Sequence, residues 1–329
     1  MCFTIGTDEH GAKIAEKAAE VNITPKAFTD TIVLKWKEFS EKAGLSNDRF
    51  VRTTDPNHEK RAQIIWQNLS DYIYKGSYIG LYCVGCETFY TEAFAKEHNG
   101  VCPLHNRTFE KLEEENYFFA LSKFTARIRE AIESGEFVIL PESKRNEIFN
   151  VLKGGLEDIS ISRPQEKVGW GIPVPGDAEQ VMYVWCDALS NYISALGYGS
   201  DDEELFKKFW PADVHVVGKD ILRFHTAIWP GMLLSAGIPL PKHIFVTGLI
   251  QSEGKKMSKS LGNVITPKEL TDEYGVEALR LYFAKEISLF EDGELNRDIF
   301  KTSYNANLAN GIGNLTSRIL KMAETNLSE

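Results

Sequence analysis

The segment Glu253-Gly254-Lys255-Lys256-Met257-Ser258-Lys259-Ser260-Leu261-Gly262-Asn263 places three lysines and two serines between two glycines. A packed core has no use for that grouping. A loop that closes over a phosphate chain does. Ammonium groups bring mobile positive charge, hydroxyls bring donors, and glycines let the backbone bend round an anion. Taken alone, the same residues also describe an exposed basic turn, so the segment gains meaning only from its company.

A second group has metal-ligand spacing. Cys83-x2-Cys86 is separated by fifteen residues from Cys102-x2-His105. Three thiols and an imidazole so spaced suit a tetrahedral Zn2+, which would ionise the thiols. All four positions are protein groups, so the knuckle reads as closed and structural. The plain alternative is three reduced cysteines beside a surface histidine. His98 competes, but His105 fits the second knuckle.

Three further groups sit where strands are expected to end. Trp185, Ala188 and Tyr192 fall at i, i+3 and i+7 and line one helix face. A small residue between two aromatics makes a slot, or else the three are an aromatic core stripe. In Val217-Gly218-Lys219-Asp220-Ile221-Leu222-Arg223-Phe224-His225, Gly218 stands where a strand meets a helix N-terminus, so the backbone can approach a nucleotide. Asp220 is the type that accepts ribose hydroxyls. Ile221, Phe224, His225 and Trp229 are expected on one helical face, where His225 is either a ligand contact or a satisfied core residue. Asp8, in Asp8-Glu9-His10, can receive an ammonium group or cap the next helix.

The elements that must position these residues alternate between strand and helix. Residues 2–5 read as a buried strand, Gly6 to Gly11 as a turn, and a helix begins near Ala12. Amphipathic helices are expected over 26–44 and 57–74, the second started by Asp55 and Pro56. Helical periodicity fades over 80–110 and returns over 117–134 and 142–153. Residues 158–162 and 181–185 read as strands, 187–196 as a helix, 214–218 as a strand before a helix from Asp220, and 243–247 as a strand. Beyond Pro267 the pattern is helical: 268–274, 276–284 and one long helix over 297–324, whose apolar positions Ile312, Leu315, Ile319 and Met322 find no following partner. The fold class expected is α/β: a Rossmann-like parallel sheet that starts, is interrupted by an insertion of about 85 residues, resumes, and ends in helices.

Bulk properties agree with a folded enzyme-sized chain. There are 329 residues, 43% hydrophobic and 26% charged, with nineteen Phe, twelve Tyr and six Trp. That argues against disorder. A net charge of −10 speaks against a protein held to DNA by global charge, while leaving room for a structured RNA on a local basic face. The apolar run near Ile228 to Leu240 is broken by Pro230, Gly231, Gly237 and Pro239, so no membrane partner is expected. Met1 to His10 has no basic n-region, and five cysteines fit a reducing compartment. A cytoplasmic location follows as the expectation.

These groups, in this order, resemble the class I aminoacyl-tRNA synthetases. The lysine segment matches their Lys-Met-Ser-Lys-Ser motif. Gly-Thr-Asp-Glu-His-Gly, the Cys/Cys/Cys/His knuckle, Tyr-Val-Trp-Cys-Asp-Ala-Leu-Ser-Asn-Tyr and Gly-Lys-Asp-Ile-Leu-Arg-Phe-His resemble the bacterial methionyl-tRNA synthetases, along essentially the whole chain. The resemblance implies methionine--tRNA ligase activity, with methionine, ATP with Mg2+ and tRNA(Met) as partners, a structural Zn2+, and a monomer. It implies that Asp8 holds the methionine amino group with support from Arg163. Trp185, Ala188, Tyr192, Ile221, Phe224, His225 and Trp229 would form the methionine pocket, and Gly218 and Asp220 would contact adenosine. Lys256 and Lys259 would grip pyrophosphate, with Met257 and Ser258 beside them at ATP.

The resemblance also divides the chain: 1–75 as the first part of the catalytic domain, 76–162 as the zinc-bearing connective insertion and 163–263 as the second catalytic part. Residues 264–296 would be the stem-contact fold, and 297–329 the start of an anticodon-binding bundle. The family's His-Ile-Gly-His motif is not in the sequence and belongs upstream of Met1. A synthetase interior clipped at both ends, with little activity of its own, is therefore expected. Two other classes are a non-catalytic tRNA-binding relative and a zinc-knuckle nucleic-acid-binding protein. The retained pocket and lysine loop count against the first. The acidic charge and the α/β pattern count against the second.

Overall fold

The computed structural model describes residues 1–327 except 86, 87, 91 and 258–262, and describes only the backbone of 78, 79, 88, 89, 93, 112–114 and 256. Two compact units divide the chain: residues 1–35, 46–215 and 223–244 in the first, and 36–45, 216–222 and 245–329 in the second.

The first unit opens with β1 (Thr4–Thr7) and α1 (Ala12–Glu20). Gly11, at φ 119°, makes the turn between them that a side chain would oppose. After α2 (Pro25–Lys42) comes β2 (Arg49–Arg52), which pairs in parallel with β1, Thr4 opposite Arg49 and Thr7 opposite Arg52. A β-carbon on Gly6 would stand 2.4 Å from the Val51 carbonyl oxygen, so the close pairing requires glycine there. α3 (Pro56–Asn68) begins as its sequence signals say: the Asp55 side chain accepts from the Asn57 N–H, and Pro56 takes the first helical position.

The helix expected over 57–74 stops at Asn68, because residues 73 and 74 already belong to β3 (Ile73–Cys83). β4 (Thr88–Tyr90), α4 (Glu92–Glu97) and β5 (Glu110–Phe119) follow. β3 and β5 form a long antiparallel ladder running from Ile73 opposite Phe119 to Tyr82 opposite Glu110. The helix expected over 117–134 therefore starts only at α5 (Thr125–Ser134). Tyr117, Phe118 and Phe119 are strand-favouring aromatics, and the long-range pairing with residues 73–75 decides their state.

Next come β6 (Val138–Leu140), α6 (Glu142–Gly154), β7 (Ile159–Ser160), β8 (Ser162–Pro164), α7 (Gln165–Val168), β9 (Pro173–Val174) and β10 (Asp177–Met182). β4-β3-β5-β7 make one sheet and β8-β10-β9 another. β10 ends at Met182, so the strand expected over 181–185 gives way early to α8 (Val184–Ser194), which packs on α3. After α9 (Glu204–Phe209), β11 (His215–Gly218) enters a sheet ordered β11-β12-β6.

The helix expected from Asp220 is split. Lys219–Ile221 is a 3-10 turn, Phe224–Ile228 is a π-helix, and α10 covers Trp229–Ser235. β12 is His243–Thr247. Trp229, Phe119, Phe137, Ile65, Ile128, Ile148 and Leu189 are among the fully buried side chains of this unit's core.

The second unit is built on β13 (Ile250–Ser252), β14 (Lys255–Lys256), α11 (Pro267–Tyr274), α12 (Val276–Glu286), β15 (Gly293–Glu294) and α13 (Arg297–Tyr304). Its core is Leu270, Ala278, Leu279, Tyr282, Leu295 and Phe300. The single helix expected over 297–324 is three segments, because a π-helix (Asn305–Gly313) separates α13 from α14 (Asn314–Asn326). Asn and Gly are poor α-formers and dominate that stretch. Ile312, Leu315, Ile319 and Met322 are exposed.

Candidate active site

α8 has two chemically distinct faces. On one, the Trp185 ring stacks on Phe224 at 3.8 Å between centroids and 10° between planes, with His225 edge-on to Trp185 at 6.2 Å. The Tyr192 hydroxyl lies 2.7 Å from His225 Nε2. Tyr192 also stacks on His215 at 4.0 Å, and Trp229 Nε1 donates to His215 Nε2 at 3.4 Å. Ala188 is buried on the same face of α8.

Trp185, Tyr192, Phe224, His225 and Trp229 are thus brought together. The π-turn sets the geometry: successive Phe224 and His225 both reach α8, one by stacking on Trp185 and the other by bonding Tyr192. Ile221 ends the 3-10 turn in the second unit.

Electrostatics fix the proton positions. Burial, with Asp8 nearby, raises the Tyr192 pKa, so the phenol keeps its proton and can donate to His225. Burial and the neighbouring His225 push His215 down to about 3, so its Nε2 stays free of a second proton and accepts from Trp229. His215 escaped the sequence reading. A histidine among valines at the expected start of a buried strand was the available signal.

The other face of α8 is polar. Asp187, Asn191 and Ser194 fall at i, i+4 and i+7. Asp187 Oδ2 lies 2.7 Å from His10 Nδ1, its Oδ1 lies 2.7 Å from His58 Nε2, and His58 Nδ1 lies 2.7 Å from Ser194 Oγ. All four residues are buried. Burial alone would raise the Asp187 pKa, but hydrogen bonds from His10 and His58 hold it below the usual carboxylate range.

Glu9 is pinned as firmly. Its carboxylate takes Arg52 Nε and Nη2 at 2.8 Å each, Thr7 Oγ1 at 2.7 Å and the Thr54 hydroxyl, while its N–H donates to Thr53 Oγ1 at 2.9 Å. Burial would raise its pKa, and the hydrogen bonds from Arg52, Thr54 and Thr7 lower it on balance. Asp8 therefore hangs between two anchored residues. It is exposed as a residue, yet its carboxyl is closely surrounded. Desolvation and the Asp187 charge raise its pKa to about 6, against the opposing influence of His58 and Asn191.

Arg163 is buried within β8. Its Nη1 donates to the Ser160 carbonyl at 3.3 Å, Ser160 Oγ at 2.8 Å and the Ser162 carbonyl at 2.7 Å, and its guanidinium lies 4.4 Å from the Tyr183 ring. It lines a small cleft with His10, Trp170 and Tyr183.

In the second unit, a β-carbon on Gly218 would lie 2.7 Å from Asp220 Oδ1, so glycine is what lets that carboxylate fold back on the strand end. Lys219 pairs with Asp292 at 2.7 Å. Asp292 also accepts from the Leu249 N–H at 3.0 Å and Gln251 Nε2 at 2.7 Å. The lysine segment is entered through a hairpin. Gln251 pairs with Lys256 and Ser252 with Lys255, and Glu253 and Gly254 turn the chain at φ 57° and 67°. Two successive positive φ values are those of a type I′ turn. The Glu294 carboxylate accepts both turn N–H groups, that of Gly254 at 3.0 Å and that of Glu253 at 2.5 Å. Met257 packs against the second unit's core. The side chain of Lys256, and Ser258 and Lys259 entirely, lie outside the described residues.

At the knuckle, Cys83, Cys102 and His105 place their ligand atoms within 4.8 Å of one another, Cys102 Sγ being 3.8 Å from His105 Nδ1. The edge of a tetrahedron of zinc–thiolate and zinc–imidazole bonds is about 3.6 Å, so two thiols and an imidazole fit such an ion. Gly85 passes so near that a β-carbon would stand 2.5 Å from His105 Cγ. Cys86 lies outside the described residues.

Comparison with known proteins decides the family. The profile of the family described as tRNA synthetases class I (M) matches residues 1–109 and 96–320. The chain belongs to the methionyl class I tRNA synthetases. A methionine--tRNA ligase of Clostridium perfringens is 50% identical over 325 residues, which is 98% of this chain and 50% of that protein. One from Streptomyces coelicolor is 44% identical over 97% of this chain and 61% of its own length. Among solved synthetases, the Mycobacterium tuberculosis methionyl-tRNA synthetase in complex with methionyl-adenylate superimposes with a TM-score of 0.90 at 38% identity, over 99% of this chain and 64% of that one. The chain spans about half the length of the first curated relatives it matches. No helix among the described residues is long and apolar enough to cross a membrane.

Proposed function

We propose that the chain activates methionine with ATP and serves its transfer to tRNA(Met) in the cytoplasm. The carrying observation is the aromatic slot, in which Trp185 lies flat on Phe224 while Tyr192 bonds His225, with Ala188 buried on the same helix as Trp185 and Tyr192. Such a slot, with Trp229 beside Tyr192, suits a flexible thioether through apolar and sulfur–aromatic contact. Asp8, ionised above its pKa of about 6, would receive the methionine ammonium, with Arg163 supporting the site. The complex with methionyl-adenylate of the M. tuberculosis relative supports this reading.

In the reaction, a methionine carboxylate oxygen forms a bond to the ATP α-phosphorus as the bond to pyrophosphate breaks. Gly218 and Asp220 would hold the adenosine, and Met257 and Ser258 would lie beside ATP. Lys256 and Lys259 would meet the charge that builds on the leaving pyrophosphate, where losing one such contact costs roughly 100- to 1,000-fold in rate. Mg2+ accompanies ATP as part of the substrate. A terminal ribose hydroxyl of tRNA(Met) then attacks the carbonyl and AMP leaves. Zn2+ held by Cys83, Cys86, Cys102 and His105 would be structural, keeping the connective insertion 76–162 folded. In this reading residues 1–75 and 163–263 are catalytic, 264–296 contact the stem, 297–329 begin the anticodon-binding bundle, and the working unit is a monomer.

Calorimetric titration of the folded chain with L-methionine tests the reading. Saturable binding that is lost in Trp185→Ala and Tyr192→Ala is expected. A folded chain that fails to bind methionine would overturn it. Methionine-dependent ATP–pyrophosphate exchange tests the ATP half separately.

A further inference from the structure

We propose that Asp187, clamped between His10 and His58, is the positioning residue that fixes Asp8 against the pocket helix. The proposal rests on the methionine site described above and adds three residues to it.

The two faces of α8 do different work. One face carries Trp185, Ala188 and Tyr192. The other presents Asp187, Asn191 and Ser194 at successive turns, and each meets a group from another part of the first unit. Asp187 meets His10 and His58, and Ser194 meets His58 again. Asn191, whose Nδ2 donates to the Ala188 carbonyl, lies near enough to the Asp8 carboxyl to lower its pKa. His10, two residues beyond Asp8, thus docks the loop on α8, and α3 docks beside it through His58. Three elements that are distant in sequence converge on a carboxylate with 2% of its surface exposed.

A buried charge is costly unless it is paired and hydrogen-bonded. A helix could be packed here with an apolar residue at no such cost, so the clamp needs a reason beyond holding α3 to α8. Its position supplies one. The loop it grips carries Asp8, and the helix it grips carries the slot. Fixing both to one point sets the distance from the ammonium-binding carboxylate to the thioether slot, and a ligand as small as an amino acid is sensitive to that distance. Glu9, held by Arg52, Thr7, Thr54 and Thr53, and Trp170, whose Nε1 donates to the Glu9 carbonyl at 2.8 Å and whose ring lies 5.0 Å from His10, complete the bracing.

The same cluster sets the charge around Asp8. Asp187 and Tyr192 from α8, His58 from α3 and Glu9 beside it in the loop all act on the Asp8 carboxyl or respond to it, and Glu59 lies 3.9 Å from His10 Nε2. Removing the Asp187 charge therefore has two separable consequences. Asp8 loses its fixed place, and its ionisation moves to lower pH because a neighbouring negative charge has gone.

The experiment compares wild type with Asp187→Asn. Methionine titrations run from about pH 5 to about pH 8, alongside a 13C-carboxyl titration of Asp8 and thermal unfolding. Expected are methionine affinity weakened on the order of 10-fold at neutral pH and an Asp8 carboxyl that titrates at lower pH than in wild type. A folded D187N that binds methionine within about twofold of wild type, with Asp8 titrating unchanged, would overturn the proposal. Should D187N fail to fold, His10→Asn and His58→Gln carry the same test, and wild-type affinity in both overturns it. Should the wild type itself bind no methionine, the site reading fails. The clamp is then judged by the Asp8 carboxyl signal alone, which must move in D187N or H58Q for the proposal to stand.

Discussion

The Tyr192 hydroxyl and His225 Nε2 lie 2.7 Å apart and join α8 to the π-turn across the aromatic slot. Tyr192 is held in its protonated form by burial and by Asp8, so it is the natural donor of this bond. Tyr192→Phe keeps the ring stacked on His215 and removes only the hydroxyl. The expected cost is about 1 kcal/mol of folding stability, read as a lower urea midpoint at unchanged slope. Methionine affinity is expected to fall as well, because the Tyr192 hydroxyl no longer anchors the His225 ring. Unchanged stability and affinity would show that the bond is incidental.

The zinc reading makes a separate prediction. Purified chain is expected to contain about one zinc per molecule by elemental analysis, and Cys83→Ser or Cys102→Ser to lose it. Gly85→Ala is the sharper variant. It alters no ligand, yet its methyl group would stand 2.5 Å from His105 Cγ. Zinc retention is expected to fall in G85A under mild chelation, with unfolding confined to the insertion. Full zinc content in G85A would mean that His105 is not a ligand.

The cysteine–histidine cluster and the aromatic stripe of α8 were legible in the sequence because their signals are local. A Cys-x2-Cys pair or an i, i+3, i+7 stripe lies within one turn or one helix, and the structure places those described residues together. Tyr117 to Phe119 were not legible. Their helical appearance is overridden by pairing with residues 73–75, a partner some forty positions away. The clamp at Asp187 was hidden for the same reason, since His10, His58 and Asp187 lie far apart along the chain. Only the polar stripe Asp187, Asn191, Ser194 on an otherwise apolar helix hinted at it. The π-turn at Phe224 has no sequence signature at all, and it alters which residues share a face.

Acid stability is expected to reflect two groups of opposite sign. His215 has a folded pKa pushed down to about 3, against about 6.5 unfolded, so its contribution is present above pH 6.5 or so and is lost as the pH falls towards 3. Asp8 is raised to about 6 from about 3.9 unfolded, so its contribution is full below about pH 4 and is lost as the pH rises through 6. Between about pH 4 and pH 6 the two oppose each other. Asp8→Asn removes the second. D8N is expected to be more stable than wild type at pH 8 and to lose stability with a slope steeper by about one proton between pH 4 and 6. Urea midpoints across that range measure it, and parallel curves for the two proteins would contradict it.

The entry to the lysine loop depends on Glu294. Its carboxylate accepts the N–H groups of Glu253 and Gly254, and those bonds, that from Gly254 foremost, hold its pKa below the usual carboxylate range. A type I′ turn with a non-glycine residue at φ 57° is strained, and the anion compensates by satisfying both turn donors. β15 carries Glu294 and pairs in parallel with β13, so the turn is tied to the same strand that pairs with its own hairpin. Glu294→Ala is expected to loosen β13 and β14 and make tryptic cleavage after Lys255 several-fold faster than in wild type. Glu294→Gln, which keeps an accepting oxygen but not the charge, is expected to fall between the two. Thermal unfolding of the rest of the chain should change little, since the effect is local. Mass spectrometry of the first tryptic fragments locates the cut, and equal cleavage rates in all three proteins would remove Glu294 from any role in presenting the loop.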